Sequence, residues 1–256
     1  MEFLLYVLAG AVVGLAVGIT GVGGGSLMTP LLLAFGFPLH IAVGTDLMYA
    51  TITKSGGVWS YGKQRNIRWD LVGLLAAGSL PMAALTIIAL KYLFDEPTDY
   101  AGIITTCLGL MLILTSLVLI FGSRLRDVAH RWRQVARNQV GLITVLMGAG
   151  LGVVVTLSSV GAGAIGTAVL MTLYPRLTGV NIIGTDLGHA VPLTFVAGLG
   201  HLFLGNVDFV LLGSLLIGSL PAIYFGSHLA RFIPDRILRS VLATTLFGIG
   251  LKYAFF

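Results

Sequence analysis

The sequence predicts an all-α polytopic membrane protein with about ten transmembrane spans, arranged as two inverted repeats of five helices. Three observations support this fold class: the composition, the length of the apolar runs and an internal duplication. Of the 256 residues, 57% are hydrophobic and 10% are charged, whereas an ordinary soluble domain is about 45–50% apolar and about 25% charged. Water is therefore not the solvent for most of this surface.

The apolar runs between the short charged islands reach the roughly 20 residues that a helix needs to cross a hydrocarbon core of about 30 Å. They are apolar on all sides and rich in Leu, Ala and Gly, whereas the strands of a transmembrane barrel alternate in polarity. Helices are therefore favoured. The first run, Phe3 to Ile19, belongs to the duplication described next, so we expect it to be retained rather than cleaved as a signal peptide.

An internal duplication emerges when the sequence is displaced by 140 residues, which aligns Gly44 to Leu47 with Gly184 to Leu187 and Gly78 to Pro81 with Gly218 to Pro221. The predicted units are residues 1–122 and 140–256, joined by a basic linker at 123–139. Helical spans are expected near residues 3–19, 26–36, 40–61, 69–91 and 100–122, and near 140–158, 164–175, 181–203, 208–230 and 236–255.

The loop charges predict how these spans are oriented. The net charge of +5 comes from basic residues beside the spans, which indicates the positive-inside pattern rather than nucleic-acid binding. The loop after the third span and the linker are basic and expected in the cytoplasm. The short second span of each unit is either re-entrant or crossing, and crossing agrees better with the charges. Five crossings invert the second unit and place both termini outside the inner membrane.

Each unit has a glycine-rich break before its short second span. Backbone N–H groups at the start of a short helix, with flanking hydroxyls, can hold an oxyanion without a full basic charge. Close packing of small residues is the alternative explanation. The predicted substrate-binding residues are Thr20, Gly21, Gly23, Gly24, Gly25 and Ser26 in the first break and Ser158, Ser159, Gly161 and Gly163 in the second.

Four ionisable residues fall inside predicted spans, namely Asp46, Lys54, Asp186 and His189. Each costs a few kcal/mol or more in the bilayer unless paired or hydrated, so each is a candidate for proton coupling or gating. The carboxylates are otherwise helix caps. Lys54 either attracts substrate or neutralises Asp46, and His189 either forms a pH-sensitive pair with Asp186 or is structural.

Other polar residues suggest neither a cofactor site nor a metal site. The run from Gly161 to Gly166 matches a dinucleotide-binding fingerprint, but that motif requires a preceding strand and a parallel sheet. Cys107, the single cysteine, lies within an apolar run and is expected to be an inert buried thiol. His201 and Tyr61 share a repeat position near span ends and are expected to be interfacial anchors.

Several motifs, in order along nearly the whole chain, resemble the TauE/SafE sulfite exporter family. This resemblance implies a secondary carrier, not an enzyme, for a small sulfur-containing anion such as sulfite or an organosulfonate, coupled to protons. The motifs are the glycine-rich first break with Pro30 to Leu33, the block Val43 to Asp46, and in the second unit Gly184 to Asp186, His189-Ala190, Pro192 to Thr194, Ala197-Gly198, Gly200-His201 and Gly218-Ser219.

The residues alone leave two other functions open. A cation or metal channel would be lined by Asp46 and Asp186, although two carboxylates without a His or Cys cluster make a poor transition-metal site. An intramembrane hydrolase would use Ser158 or Ser159 with a histidine as base, and it requires the two in hydrogen-bond contact. The expected partners are an anionic substrate and the lipid bilayer, without nucleic acid, and a homo-oligomer is compatible with the sequence.

Overall fold

The structure, a computed structural model, describes residues 2–20, 25–136, 139–229 and 235–255, in which helices joined by short loops occur and no strand is present. The predicted all-α class is confirmed for this part of the chain. The first unit contains α1 (Glu2–Thr20), α2 (Gly25–Ala34), α3 (Leu39–Lys63), α4 (Trp69–Leu93) and α5 (Ala101–Ala136). The second contains α6 (Val140–Ser158), α7 (Ala164–Leu173), α8 (Gly179–Phe203), α9 (Phe209–Leu229) and α10 (Asp235–Phe255).

Within the described residues, five helices are long and apolar enough to cross a membrane: α4, α6, α8, the Ala101–Gly122 part of α5 and the Phe209–Gly226 part of α9. Large apolar side chains such as Leu4, Ile88, Leu114 and Phe225 are exposed on the helix surfaces. Exposed apolar area on this scale is expected where lipid, not water, is the surrounding medium. The chain therefore has the character of a multi-pass membrane protein.

Two pairs of helices pack in parallel through close approaches of glycine to backbone. Helix α6 lies along α4, and α1 lies along α9, so each unit contributes one helix to a partner in the other unit. The contacts are Gly148 with Leu75 and Gly152 with Ser79, and, at corresponding positions, Gly10 with Leu215 and Gly14 with Ser219. Small residues permit such close helix contacts in membranes.

Two other pairs, each made of corresponding helices from the two units, pack antiparallel. Helices α3 and α8 form the centre, where Val43, Leu47, Leu193 and Ala197 are all buried in one apolar core. Helices α5 and α10 pack together at the side. The contacts that establish these directions are Gly44 with Asn206, Thr51 with Thr194 and Gly184 with Asn66 for the central pair, and Gly109 with Ala254 and Gly250 with Ile113 for the other.

These directions place the loops at two ends of the helical layer. Because α3 ends where α8 begins, residues 63–68 and 174–178 lie together at one end, with the start of α6. We call this the basic end, since it carries Lys63, Arg65, Arg68 and Arg176. The opposite, acidic end holds the start of α1, the end of α10 and residues 94–100 and 204–208, with Asp95, Glu96, Asp99 and Asp208.

Each second helix is shorter than a full crossing. Helices α2 and α7 have ten residues, about 15 Å at 1.5 Å per residue, against a core of about 30 Å. The hydroxyl of Tyr174, just after α7, lies 2.7 Å from Thr144 Oγ1 near the start of α6, so α7 returns to the basic end. The expected full crossing is therefore not formed by helix alone, because α7 ends before Pro175, which disfavours helix at the preceding residue.

The basic segment predicted as a linker, residues 123–139, is helical as far as Ala136. Helix α5 continues for 36 residues, from Ala101 to Ala136, about 54 Å in length. The backbone therefore stays helical well beyond the apolar part that ends near Gly122.

The glycine contacts between α4 and α6 generate a stability prediction. A Cβ at Gly152 would collide with the backbone oxygen of Ser79, whereas a Cβ at Gly150, on the same helix, would meet nothing. We expect Gly152→Ala to destabilise the protein by about 1–3 kcal/mol, as overpacking does. Gly150→Ala is the control. Thermal unfolding in detergent measures both, and equal unfolding temperatures for the two variants would contradict the close approach.

Candidate functional site

The second glycine-rich break, residues 159–163, turns the chain between α6 and α7. Ser159, Gly161 and Gly163 have φ angles of 58°, 118° and 140°. Such angles are strained for residues with a Cβ and ordinary for glycine. Val160 and Ala162, between them, are buried. The two glycines therefore allow a tight reversal inside the helical layer.

The break leaves a set of backbone N–H groups free. Ile165 and Gly166 donate to the carbonyl of Gly161, and Thr167 donates to that of Gly163. The N–H groups of residues 161–164 make no hydrogen bond with the described part of the chain. Since α7 begins at Ala164 without a side-chain cap, these groups, at the positive end of the helix dipole, have no acceptor among the described residues.

The two serines of this break differ in their contacts. The Ser158 hydroxyl donates to the carbonyl of Val154 at 2.6 Å and accepts from the N–H of Val160 at 3.2 Å, so it is occupied by backbone. The Ser159 side chain is 2% exposed, and its hydroxyl has no hydrogen-bond partner among the described residues. Of the two serines, Ser159 therefore has the hydroxyl that no backbone group occupies, and this hydroxyl lies within interaction range of the Asp46 carboxylate.

Lys54 brings a positive charge to the same break. Its side chain, on α3, is 5% exposed, and Nζ donates a 2.7 Å hydrogen bond to the carbonyl oxygen of Ala162. Burying an ammonium is costly unless opposite charge or hydrogen bonds compensate it. Lys54 interacts electrostatically with Asp186 and Asp46 but forms an ion pair with neither.

The two aspartates also lie beside this break. Asp46 is fully buried, accepts a 2.6 Å hydrogen bond from the hydroxyl of Thr29 on α2 and lies near Ser159. Asp186 is 3% exposed, and its Oδ1 lies against Gly166 in the first turn of α7, where a Cβ would collide with it. Asp186 accepts no hydrogen bond from the described residues. Neither carboxylate caps its own helix.

His189 is held by a residue of the other unit. Its Nε2 lies 2.8 Å from Ser79 Oγ on α4, while Nδ1 is buried without a partner in the described residues. No hydrogen bond joins His189 to Asp186, so the expected pairing along α8 is replaced by one across the units. At the repeat-equivalent positions, Tyr49 lies beside Ser219, but their hydroxyls do not form a hydrogen bond.

His201 is not an interfacial anchor, as its position near a span end suggested. It is fully buried, with Nε2 2.9 Å from the carbonyl of Thr156 and Nδ1 3.2 Å from the Asn206 amide. Because a carbonyl only accepts, Nε2 carries the proton and Nδ1 accepts. Both ring nitrogens are satisfied, which is typical of a structural histidine.

The first break is placed only in part. Gly21, Gly23 and Gly24 lie outside the described residues. Thr20 belongs to α1, and Gly25 and Ser26 belong to α2, but only the backbone of these three residues is described. The described contact of this region with the site is the hydrogen bond from Thr29 to Asp46.

The structure therefore brings Lys54, Asp46, Asp186 and Ser159 together at the second break. Three contributors were missed from the sequence: Thr29, Ser79 and the carbonyl of Ala162. Ser79 carried a usable signal, because it belongs to the duplicated Gly-Ser-Leu-Pro motif. A backbone carbonyl and a threonine in an apolar run carry no comparable signal.

The hydrogen bond of His189 can be tested with a matched pair of serines. We expect Ser79→Ala to lower stability by about 1–3 kcal/mol, because it leaves the buried Nε2 of His189 unpaired. Ser219→Ala, at the repeat-equivalent position, removes a hydroxyl without a hydrogen bond and should change stability by less than about 0.5 kcal/mol. Thermal melting compares them, and an equal or larger loss in Ser219→Ala would refute the assignment.

Comparison with known proteins agrees with this architecture. The chain is 38% identical over 251 residues to the probable membrane transporter protein YjnA of Bacillus subtilis, covering 96% of this chain and 97% of that protein. It is 27% identical over 258 residues to YdhB, another probable membrane transporter protein of the same organism, covering 98% and 100%. No solved structure matches the chain. Because residues 6–253 match the sulfite exporter TauE/SafE family, the chain belongs to this family of membrane transporters.

Proposed function

We propose that this transporter is a secondary carrier of a small sulfur-containing anion, sulfite or an organosulfonate, coupled to protons. The observation that carries the proposal is the second break, which the Lys54 ammonium contacts and which contains the unpaired N–H groups of residues 161–164 and the Ser159 hydroxyl. Several donors and one cation suit the three oxygens of a sulfite or sulfonate group. The name of the matching family supports the same substrate class.

The same geometry argues against the other two functions. A cation path lined by Asp46 and Asp186 would pass the buried ammonium of Lys54, which interacts with both carboxylates and repels a second cation. A hydrolase would need a histidine in contact with Ser158 or Ser159. Instead, His189 bonds Ser79 and His201 bonds the carbonyl of Thr156.

Proton coupling is assigned to Asp186 and His189. Both are buried on α8, and each has a polar atom without a partner in the described residues, Oδ1 of Asp186 and Nδ1 of His189. Unpaired buried polar atoms at a transport site mark positions for a proton, water or substrate. His189, one turn from Asp186, offers a ring nitrogen that can accept or donate a proton beside that carboxylate.

The proposed topology is inverted, with the basic end in the cytoplasm. Antiparallel packing of the equivalent helices α3 and α8 supports inversion, since parallel repeats would run in the same direction. The positive-inside rule then assigns the basic end to the cytoplasm. Both termini, at the acidic end, lie outside the inner membrane, and the basic extension of α5 lies inside.

The serine pair tests the binding site. In proteoliposomes, we expect uptake of sulfite or methanesulfonate, driven by a pH gradient, and no uptake of a dicarboxylate. Ser159→Gly suits the positive φ and removes only the free hydroxyl, so KM should rise about tenfold with unchanged melting, the effect of one hydrogen bond to a charged ligand. Ser158→Ala should lower the melting temperature and leave KM unchanged.

In the same assay, His189→Gln should change the shape of the dependence of uptake on pH, because it removes a buried group beside Asp186 that can hold a proton. An unaltered KM in Ser159→Gly would show that the Ser159 hydroxyl does not bind the substrate. A uniform loss of rate at every pH in His189→Gln would mark the histidine as structural.

Cysteine labelling tests the topology. In a Cys107→Ala background, Thr98→Cys at the acidic end should react with an impermeant maleimide in intact cells, because that end is expected outside. Gln64→Cys at the basic end, equally exposed, should react only after permeabilisation. Labelling of Gln64→Cys but not Thr98→Cys in intact cells would reverse the orientation, and labelling of both or neither would refute the assignment of the two loops to opposite sides.

A further inference from the structure

The charge balance at the second break is unequal. Two buried carboxylates, Asp46 and Asp186, accompany one buried ammonium, Lys54. The other titratable groups that face them are Tyr49 on α3 and His189 on α8. The described parts of α2, α6 and α7, which also pack around the site, contain no Lys, Arg, Asp or Glu. With both carboxylates charged and His189 neutral, the empty site carries one net negative charge.

The two carboxylates differ in what stabilises their charged form. A hydroxyl donates to Asp46 at 2.6 Å, and a hydrogen bond to a carboxylate favours its ionised state. Asp186 receives no hydrogen bond from the described residues, and Oδ1 lies against the Cα of Gly166. A hydrogen-bond donor thus stabilises the charge of Asp46 and none among the described residues stabilises that of Asp186, while Lys54 interacts with both carboxylates.

Lys54 has no counterpart in the other unit. Its repeat-equivalent residue is Thr194, whose hydroxyl contacts that of Thr51 at 3.0 Å. The duplicated scaffold thus contains one buried cation in its described residues, located at the second break. One cation supports one anion at a time, since a second anion in the same low-dielectric region would lack a counter-charge.

We propose that this site loads one singly charged oxyanion together with one proton, which protonates Asp186 while Lys54 turns from the carboxylates towards the anion. The proton comes from the aqueous side to which the site is open, and it leaves with the anion on the other side. The site then has the same net charge when empty and when loaded, and the cargo is neutral. A dianion would require a second proton. The hydrogen bond from the Thr29 hydroxyl favours the charged form of Asp46 and so disfavours this second protonation.

This inference rests on the proposed anion site but is tested by charge rather than by substrate identity. Purified full-length protein in proteoliposomes is supplied with methanesulfonate, sulfite, acetate or sulfate. Uptake, internal pH and membrane current are recorded together. For the wild type we expect methanesulfonate uptake with one proton per anion and no current, and sulfate uptake at least tenfold slower.

The carboxylate variants separate the two aspartates. Asp186→Asn should still carry methanesulfonate, but with current and without a pH change, because the anion now moves without its proton. Asp46→Asn should remain silent electrically and keep the proton, since Asp186 is intact. Asp95→Asn, an exposed carboxylate between α4 and α5, is the control and should match the wild type. Binding of methanesulfonate to each variant, measured by protection from thermal unfolding, shows that the site is folded.

The outcomes distinguish the two proposals. Coupled, silent uptake of acetate beyond that of protein-free liposomes, without uptake of sulfonates, would refute the sulfur-containing substrate and support the charge rule. A current in the wild type, or coupled and silent transport in folded Asp186→Asn, would overturn the charge rule while the anion site stands. Absence of uptake and of thermal protection for every anion in the wild type would refute both.

Discussion

The cost of burying the Lys54 ammonium constrains the rest of the central structure. A cation at this depth requires compensation from several groups at once. Here the compensation comes from three elements: the carbonyl of Ala162 in the second break, Asp46 on α3, which also carries Lys54, and Asp186 on α8. The break must therefore lie beside α3, and α3 must pack against α8. The position of the candidate site and the packing between the two units thus follow from one interaction.

The scaffold repeats more faithfully than the chemistry that it carries. Cross-unit helix contacts are matched even in their polar bonds, because the Thr45 hydroxyl accepts from the N–H of Asp208 and the Thr185 hydroxyl accepts from the N–H of Arg68. At the centre the two units differ, because Lys54 corresponds to Thr194 and Tyr49 corresponds to His189 in the repeat. Matched packing permits two similar arrangements of the helices, while unmatched side chains concentrate binding at one break.

The sequence predicted helices, their approximate ends and the buried position of the ionisable residues, because composition and glycine-rich breaks report on these features directly. It did not predict which residues these side chains contact. Ser79 meets His189, and Ala162 meets Lys54, across more than a hundred residues, and no local pattern encodes such a meeting. The uniform offset also concealed a shift: α1 and α6 correspond by 138 residues, two fewer than the later helices. The second unit therefore has two more residues after α6 than the first has after α1. The apolar pattern did not reveal this difference, since spans that are apolar on all sides have little periodicity.

The exchange of helices between the units, α1 against α9 and α6 against α4, has a consequence for synthesis. Helix α1 is made well before α9, the helix whose surface its glycines fit. Helix α4 likewise waits for α6. Insertion and packing are therefore separate stages. The packing surface of α1 stays without its partner until α9 has been inserted.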